Sequence, residues 1–374
     1  MKKNVLIVGT GTIGEPLIGL FADYHDKLDI DNVFFHKRTP LKDEIAKVNS
    51  MVKRGAKLVV DKECIDSFKK IGHEPKLDFD TALNLADVVI DCTPAGNENK
   101  EKFYIPLMKA KCKDKGCTVN QCEGRFCGNK RRLFIAQGSE KDFGMPYAYG
   151  INDEALQLAD SSFIQIVSCN THNIASLIKT LSSGNFYNII RGDFTCIRRA
   201  NDISQHGGFI SSPEVGMHNN GQYGTHHAKD AADLFSTLDY HPDIFSSALK
   251  INSQYMHIIR FNIEIKGFAI EKDIINNFIN NKFVALTHKE TTNKVFSFGR
   301  DHGYYGRIFN HTVIATDSIL AKRYYGNTKV SGFCFTPQDG NSLLSSAAAT
   351  LQFIHGEKYL NYMKEFDDYL FQQI

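Results

Sequence analysis

The chain has no tryptophan, only nine prolines in 374 residues, and no apolar run approaching the ~20 residues a membrane span requires. No low-complexity tract is present either, so a disordered, fibrous or membrane-spanning chain is not expected. Excess charge of one sign is also missing: 44 basic side chains face 42 acidic ones, and a net +2 gives no field that argues for nucleic acid. The opening "MKKNVLIVGTGTIGEPL" carries two lysines and an apolar stretch, but glycines interrupt it and no small-residue cleavage site follows, so no secretory leader is expected. Nine cysteines, an odd number scattered without secretory features, suit a reducing cytosol and unpaired thiols.

What is present is length enough for two lobes, each able to bury a full core. Over the first 140 residues, apolar runs alternate with amphipathic stretches: "NVLIVG", "GEPLIGLFADYH", "NVFFHK", "LKDEIAKVNSMVKR", "AKLVV", then "ADVVIDCTP" and "RRLFIAQ". That grammar predicts a parallel sheet with crossover helices. From about residue 160 the strand candidates lengthen, as "SFIQIVSC", "FTCIRRAND", "YMHIIRFNIEIKG", "RIFNHTVIATD" and "KVSGFCFTP", with few helices between them. A mostly antiparallel second sheet follows from that change. The chain closes on the helical pattern "NSLLSSAAATLQFIHGEKYLNYMKEF", which Asn341 is placed to cap.

"GTGTIG" sets Gly9, Gly11 and Gly14 in the G-x-G-x-x-G spacing between a strand and a helix. Glycine there permits a tight turn, backbone approach to a pyrophosphate and close helix packing, with the helix N-terminus facing the negative charge. The acid that usually binds the ribose hydroxyls of NAD at the end of the second strand is missing. In its place stand His36, Lys37, Arg38 and Thr39, whose charges and hydroxyl suit a 2′-phosphate, so NADP is favoured and NAD accepted. Thr93, Pro94 and Gly96 follow "VVIDC" at a strand end beside the expected crevice.

"IVSCNTHNIASLIKTL" places Cys169 where an apolar run gives way to a helical pattern. A thiol there faces unpaired amides and the positive end of a helix, both of which stabilise a thiolate. The competing reading is a packing cysteine.

Taken in order, "GTGTIG", "DCTPAG", "IAQGSEKDFGMPYAYGINDEAL", "SCNT", "IRRAND", "THHAKD" and "SQYMH" resemble the archaeal-type, phosphorylating glyceraldehyde-3-phosphate dehydrogenases over most of the chain. The resemblance implies an α/β protein: an N-terminal Rossmann-type parallel-sheet domain, residues 1–138 joined by the C-terminal helix 339–374, plus an α+β catalytic domain, 139–338, with a mostly antiparallel sheet. It implies a cytoplasmic homotetramer that oxidises glyceraldehyde 3-phosphate with inorganic phosphate and NAD(P). Cys169 takes the position of the nucleophile and His257 that of the catalytic histidine, whose near-neutral imidazole can hold the thiol proton and help expel hydride. Arg198 and Arg199, and His226 and His227, match positions that serve the substrate's and the attacking phosphate, while Asn170 and Thr171, at the start of the helix carrying Cys169, are placed to donate to an oxyanion or a phosphate. Only one of the two adjacent arginines can face the site if both lie on a strand. Thr12, Ile13, Gln137, Gly138 and Asn341 join the cofactor contacts on the same ground.

The chain departs from that family at His172 and Asn173, where a threonine and a glycine are common, and at Ala228 and Lys229, where Gly-Pro is. A related acyl-phosphate reductase such as an aspartate-semialdehyde dehydrogenase, or a non-catalytic dinucleotide-binding protein, is the alternative. Cys112, Cys117, Cys122 and Cys127 recur every five residues, the upper limit of zinc-pair spacing with no further ligand type to close a site; reduced thiols and no metal are expected. "FSFGRDHGYYGRIF" reads as an inserted subunit-contact loop.

Overall fold

A computed structural model describes residues 3–108, 131–138, 140–158, 161–201, 207–208, 210–337 and 339–374. The cysteine ladder from Cys112 to Cys127 lies outside the described residues. Two compact units result: Met1–Pro146, Gln157–Ile166 and Ser345–Glu365 form the first, and Tyr147–Leu156, Val167–Leu344 and Phe366–Ile374 the second.

The first unit is built on β1 (Lys3–Val8), β2 (Ile30–His36), β3 (Lys57–Val60), β4 (Leu77–Asp78), β5 (Val88–Asp91), β6 (Leu133–Gln137), β7 (Met145–Tyr147) and β8 (Phe163–Ile166). Their order is β4-β3-β2-β1-β5-β6-β8-β7, and every pairing from β4 across to β8 is parallel. Strands covered on both faces must be apolar throughout, which is why Val5, Leu6, Ile7 and Val8 are all buried. The strand order reverses at β1, and Val8 registers with His36 on one side and Asp91 on the other. The turns after β1, β2 and β5 therefore emerge together at the carboxyl edge, where open α/β sheets bind their ligands. One expectation is corrected here. The strand within "SFIQIVSC" belongs to this parallel sheet, because Phe163 stacks on Phe134 at 5.1 Å and pairs with it in register.

The second unit carries β9 (Ile189–Arg198), β10 (Glu214–Val215), β11 (Ile244–Lys250), β12 (His257–Ile265), β13 (Val284–Thr287), β14 (Thr312–Ala315), β15 (Leu320–Tyr324) and β16 (Asn327–Thr336). Antiparallel pairs β9-β12, β12-β16, β14-β16, β15-β16 and β10-β11 dominate, with β11-β9 and β13-β14 parallel. Helices are more numerous than the strand-rich pattern suggests: Cys169–Leu181, His226–Ser236, Glu271–Ile279 and Thr292–His302 all belong to this unit. In the second of these, Ala228, Ala231, Ala232 and Phe235 are buried at the i, i+3, i+4, i+7 spacing of one helix face. They join Leu177, Ile178, Phe194, Phe261 and Ile263 in a single core. Within "FSFGRDHGYYGRIF" the first half is the end of the helix Thr292–His302, and Tyr304, Ile308 and Phe309 beyond it are buried.

The helix Gly340–His355 starts where a Cβ on Gly340 would stand 1.9 Å from the Ile308 carbonyl oxygen, so only glycine fits. Asn341 lies inside the helix and does not cap it.

Leu177 is fully buried between helix and sheet. Leu177→Ala is expected to lower unfolding free energy by about 2–5 kcal/mol, measured by urea denaturation; a loss below about 0.5 kcal/mol would contradict this packing.

Candidate active site

In the first unit the glycine-rich turn has the shape the spacing predicts. Gly9 adopts φ +96°, a left-handed conformation that disfavours any side chain, and its N–H donates to the His36 carbonyl at 3.1 Å. A Cβ on Gly14 would sit 2.1 Å from the Gly9 oxygen, so glycine is what lets the helix Gly14–Tyr24 approach the strand. A Cβ on Gly11 would meet nothing within 4 Å, leaving an open cradle before the helix N-terminus. That combination fits a pyrophosphate, whose charge the first helical amides can receive. Thr12 and Ile13, half-buried, complete the turn.

The loop after β5 is held from below. The buried Asp91 carboxylate accepts from the Thr93 N–H (3.0 Å) and hydroxyl (2.6 Å), the Asn99 amide (2.8 Å) and the Tyr104 hydroxyl (2.6 Å). Pro94 is exposed above it and Gly96 is buried, with the Glu140 side chain where a Cβ would go. Gln137, also buried, donates to the Ser346 hydroxyl at 2.7 Å, while Gly138 turns with φ +65°. At the end of β2, Arg38 and Thr39 are exposed, but Lys37 is buried and ion-paired with Glu44.

The second unit carries the groups expected to react. Cys169 is the first residue of its helix, and Ser168 caps it: the Ser168 hydroxyl accepts from the Thr171 N–H at 3.3 Å. Cys169 is half-buried and sits where a helix dipole favours negative charge. Its neighbour Asn170 accepts from the Thr336 hydroxyl through Oδ1 at 3.1 Å, leaving the amide Nδ2 as a donor. Thr336 is the residue of β16 that pairs with His257 of β12. A hydrogen bond and a strand pairing thus tie the thiol's helix to the imidazole's strand. Asn341 ties the same turn to the helix Gly340–His355, its amide donating to the Cys169 carbonyl at 3.3 Å.

The His257 Nδ1 accepts from the Arg199 backbone N–H at 3.0 Å. A backbone amide can only donate, so the neutral ring carries its proton on Nε2. Burial, reinforced by Arg199 and Arg198, pushes the ring down to about 3. Arg198 ends β9 half-buried and Arg199, just beyond the strand, is buried. His226 and His227 open the helix His226–Ser236 with their rings 3.9 Å apart, His226 exposed and His227 buried. Lys229, one of the departures, pairs with Asp233 at 2.5 Å along the same helix.

No family model matches the chain. Curated relatives do. A glyceraldehyde-3-phosphate dehydrogenase of Sulfolobus acidocaldarius is 25% identical over 326 residues, 85% of this chain and 84% of that protein. One from Archaeoglobus fulgidus is 25% identical over 312 residues, 80% and 79% of the two chains. The glyceraldehyde-3-phosphate dehydrogenase 2 of Methanosarcina barkeri is 23% identical over 306 residues, 81% and 79%. The chain is a relative of the archaeal glyceraldehyde-3-phosphate dehydrogenases. What the motifs alone did not reveal in this relative are the bonds from Thr336, Asp91 and Glu44, which join elements remote in sequence and carry no local signal.

His172, the departure beside "SCNT", points inward. It is fully buried, its Nδ1 donates to the Ser168 carbonyl at 3.0 Å, and its ring lies 5.2 Å from the equally buried His311. Burial pushes His172 down to about 4 and, with the neighbouring His172 and Lys179, pushes His311 well below the usual histidine range. In the unfolded chain both rings bind protons from about pH 6.5 downward. The folded state then holds fewer protons than the unfolded one, so stability falls as pH drops from about 6.5 to 5, by up to about tenfold in the folding equilibrium per pH unit per ring. Urea midpoints at pH 7.5, 6.0 and 5.0 measure this; a flat series would show that the rings protonate in place.

Proposed function

We propose that this chain is a phosphorylating glyceraldehyde-3-phosphate dehydrogenase, converting glyceraldehyde 3-phosphate and inorganic phosphate to 1,3-bisphosphoglycerate through a thioester on Cys169. NADP is preferred and NAD tolerated. The observation that carries the reading is the linkage of Cys169 to His257 through Asn170 and Thr336. The first unit serves the dinucleotide and the second the chemistry; a homotetramer and a cytosolic location belong to the same reading, by resemblance to the archaeal enzymes.

The Cys169 sulfur, favoured as an anion at the helix N-terminus, attacks the aldehyde carbon and leaves an oxyanion on the resulting hemithioacetal. His257 donates its Nε2–H to that oxygen, with the Asn170 Nδ2 as a second donor. Collapse of the oxyanion expels hydride, for which a nicotinamide dinucleotide supplies the acceptor when bound at the glycine-rich turn. Phosphate then attacks the thioester carbon, forming the acyl phosphate and releasing the thiolate. Arg198 and Arg199 with His226 and His227 supply the cationic and donor groups that two phosphates require. In this scheme His257 is a donor fixed by Arg199, not a titrating base.

Alkylation of one thiol per chain is expected to abolish phosphate-dependent reduction of NADP, with protection by glyceraldehyde 3-phosphate and none by aspartate semialdehyde. Protection by the second aldehyde instead would move the substrate to the semialdehyde class. His257→Ala is expected to cut kcat at least about 100-fold with little change in cofactor affinity. The wild-type profile of kcat/KM should show no acid limb near pH 6.5. A limb there that vanishes in His257→Ala would restore the base role.

A further inference from the structure

The end of β2 lacks the acid that reads a ribose, yet a carboxylate reaches the same place from elsewhere. Glu44, from the turn before the helix Ile45–Lys53, holds two ammonium groups at once: the buried Lys37, immediately after β2, and Lys47, at 2.5 Å. Lys47 in turn donates to the carbonyl of Thr10 at 3.2 Å, inside the glycine-rich turn, and lies 3.9 Å from Glu15. Its side chain is about one-quarter exposed, at 24%. Burial opposes ionisation of Glu44, but the hydrogen bonds from Lys37 and Lys47 outweigh it, so the carboxyl is held below its ordinary value.

We infer that Lys47, eleven residues beyond the strand end, is the principal contact for the 2′-phosphate of the cofactor, and that Glu44 is the counter-charge that tempers it and keeps NAD acceptable. This rests on the dinucleotide reading of the first unit. A 2′-phosphate sits near the end of the second strand and beside the turn that carries the pyrophosphate. Lys47 is anchored to both: to the turn through Thr10, and to the residue following β2 through Glu44. Lys37 is buried under the same carboxylate, whereas Lys47 reaches solvent and is a compact charge suited to a phosphate. For a cofactor without the 2′-phosphate, Glu44 supplies the acceptor for ribose hydroxyls that the strand end does not.

Calorimetric titration of the full chain with 2′,5′-ADP and with 5′-AMP separates these roles without requiring turnover. Lys47→Met is expected to weaken 2′,5′-ADP at least about tenfold while changing 5′-AMP less than about twofold. Glu44→Gln is expected to do the opposite, strengthening 2′,5′-ADP severalfold and weakening 5′-AMP. Thermal melts confirm that both variants are folded, and their opposite signs distinguish a charge effect from damage. Equal weakening of both nucleotides by Lys47→Met, or no change in either, overturns the assignment of Lys47 while leaving the dinucleotide site standing. If the wild-type chain binds neither nucleotide, the dinucleotide reading itself falls and this inference with it.

Discussion

The second unit depends on one short constraint: the first turn of the helix Cys169–Leu181 must be pinned at a fixed height against the ends of β12 and β16. A helix N-terminus leaves amides without intrahelical partners, and an unanchored one frays. Here Ser168 satisfies one amide, Asn170 bonds Thr336, and Asn173 donates to the same threonine hydroxyl at 2.9 Å. Thr336 is thereby a hub, accepting from one asparagine and donating to another while its backbone pairs with His257. A cap is worth about 1 kcal/mol, small against a whole domain. Its value is positional, because a nucleophile misplaced by an ångström loses much of the advantage of proximity.

The first unit solves a different problem with backbone geometry. Gly9, Gly14 and the reversal of strand order at β1 place three turns at one edge, and the buried Asp91 gathers Thr93, Asn99 and Tyr104 beneath one of them. A buried carboxyl group with two donors on each oxygen is a rigid fitting, because its hydrogen bonds fix it from several directions at once. The loop it braces is therefore presented in one conformation rather than several.

Much of this was legible in the sequence where the signal is local. The glycine spacing, the alternation in the first lobe and the position of Cys169 at a helix start all follow from periodicity and turn chemistry, which a chain displays within ten residues. Three things were not. The strand Phe163–Ile166 reads like its successors, because short apolar runs do not state which sheet they join; stacking on Phe134 decides it. The helices of the second unit include Thr292–His302, whose glycine and aromatic content obscures its period. Glu44 and Lys47 look like ordinary surface charges of an amphipathic helix, and only the fold brings them to the glycine-rich turn.

The departure at His172 shows how a family pattern can change without touching a substrate. One residue past an anion-binding turn, a histidine suggests a new titratable group facing the ligand. Helical geometry argues otherwise: residue 172 lies four positions after Ser168, so its side chain folds back over the preceding turn. The ring meets the Ser168 carbonyl and His311, and is sealed from solvent. Burial removes its charge, so the ring is a neutral donor to the Ser168 carbonyl, in the backbone preceding Cys169. Asn173 is accommodated in the same way, bonding Thr336 and the Cys334 thiol. Both residues make their hydrogen bonds inside the unit, to the Ser168 carbonyl and to Thr336 and Cys334, so neither adds a charge at the first turn of the helix.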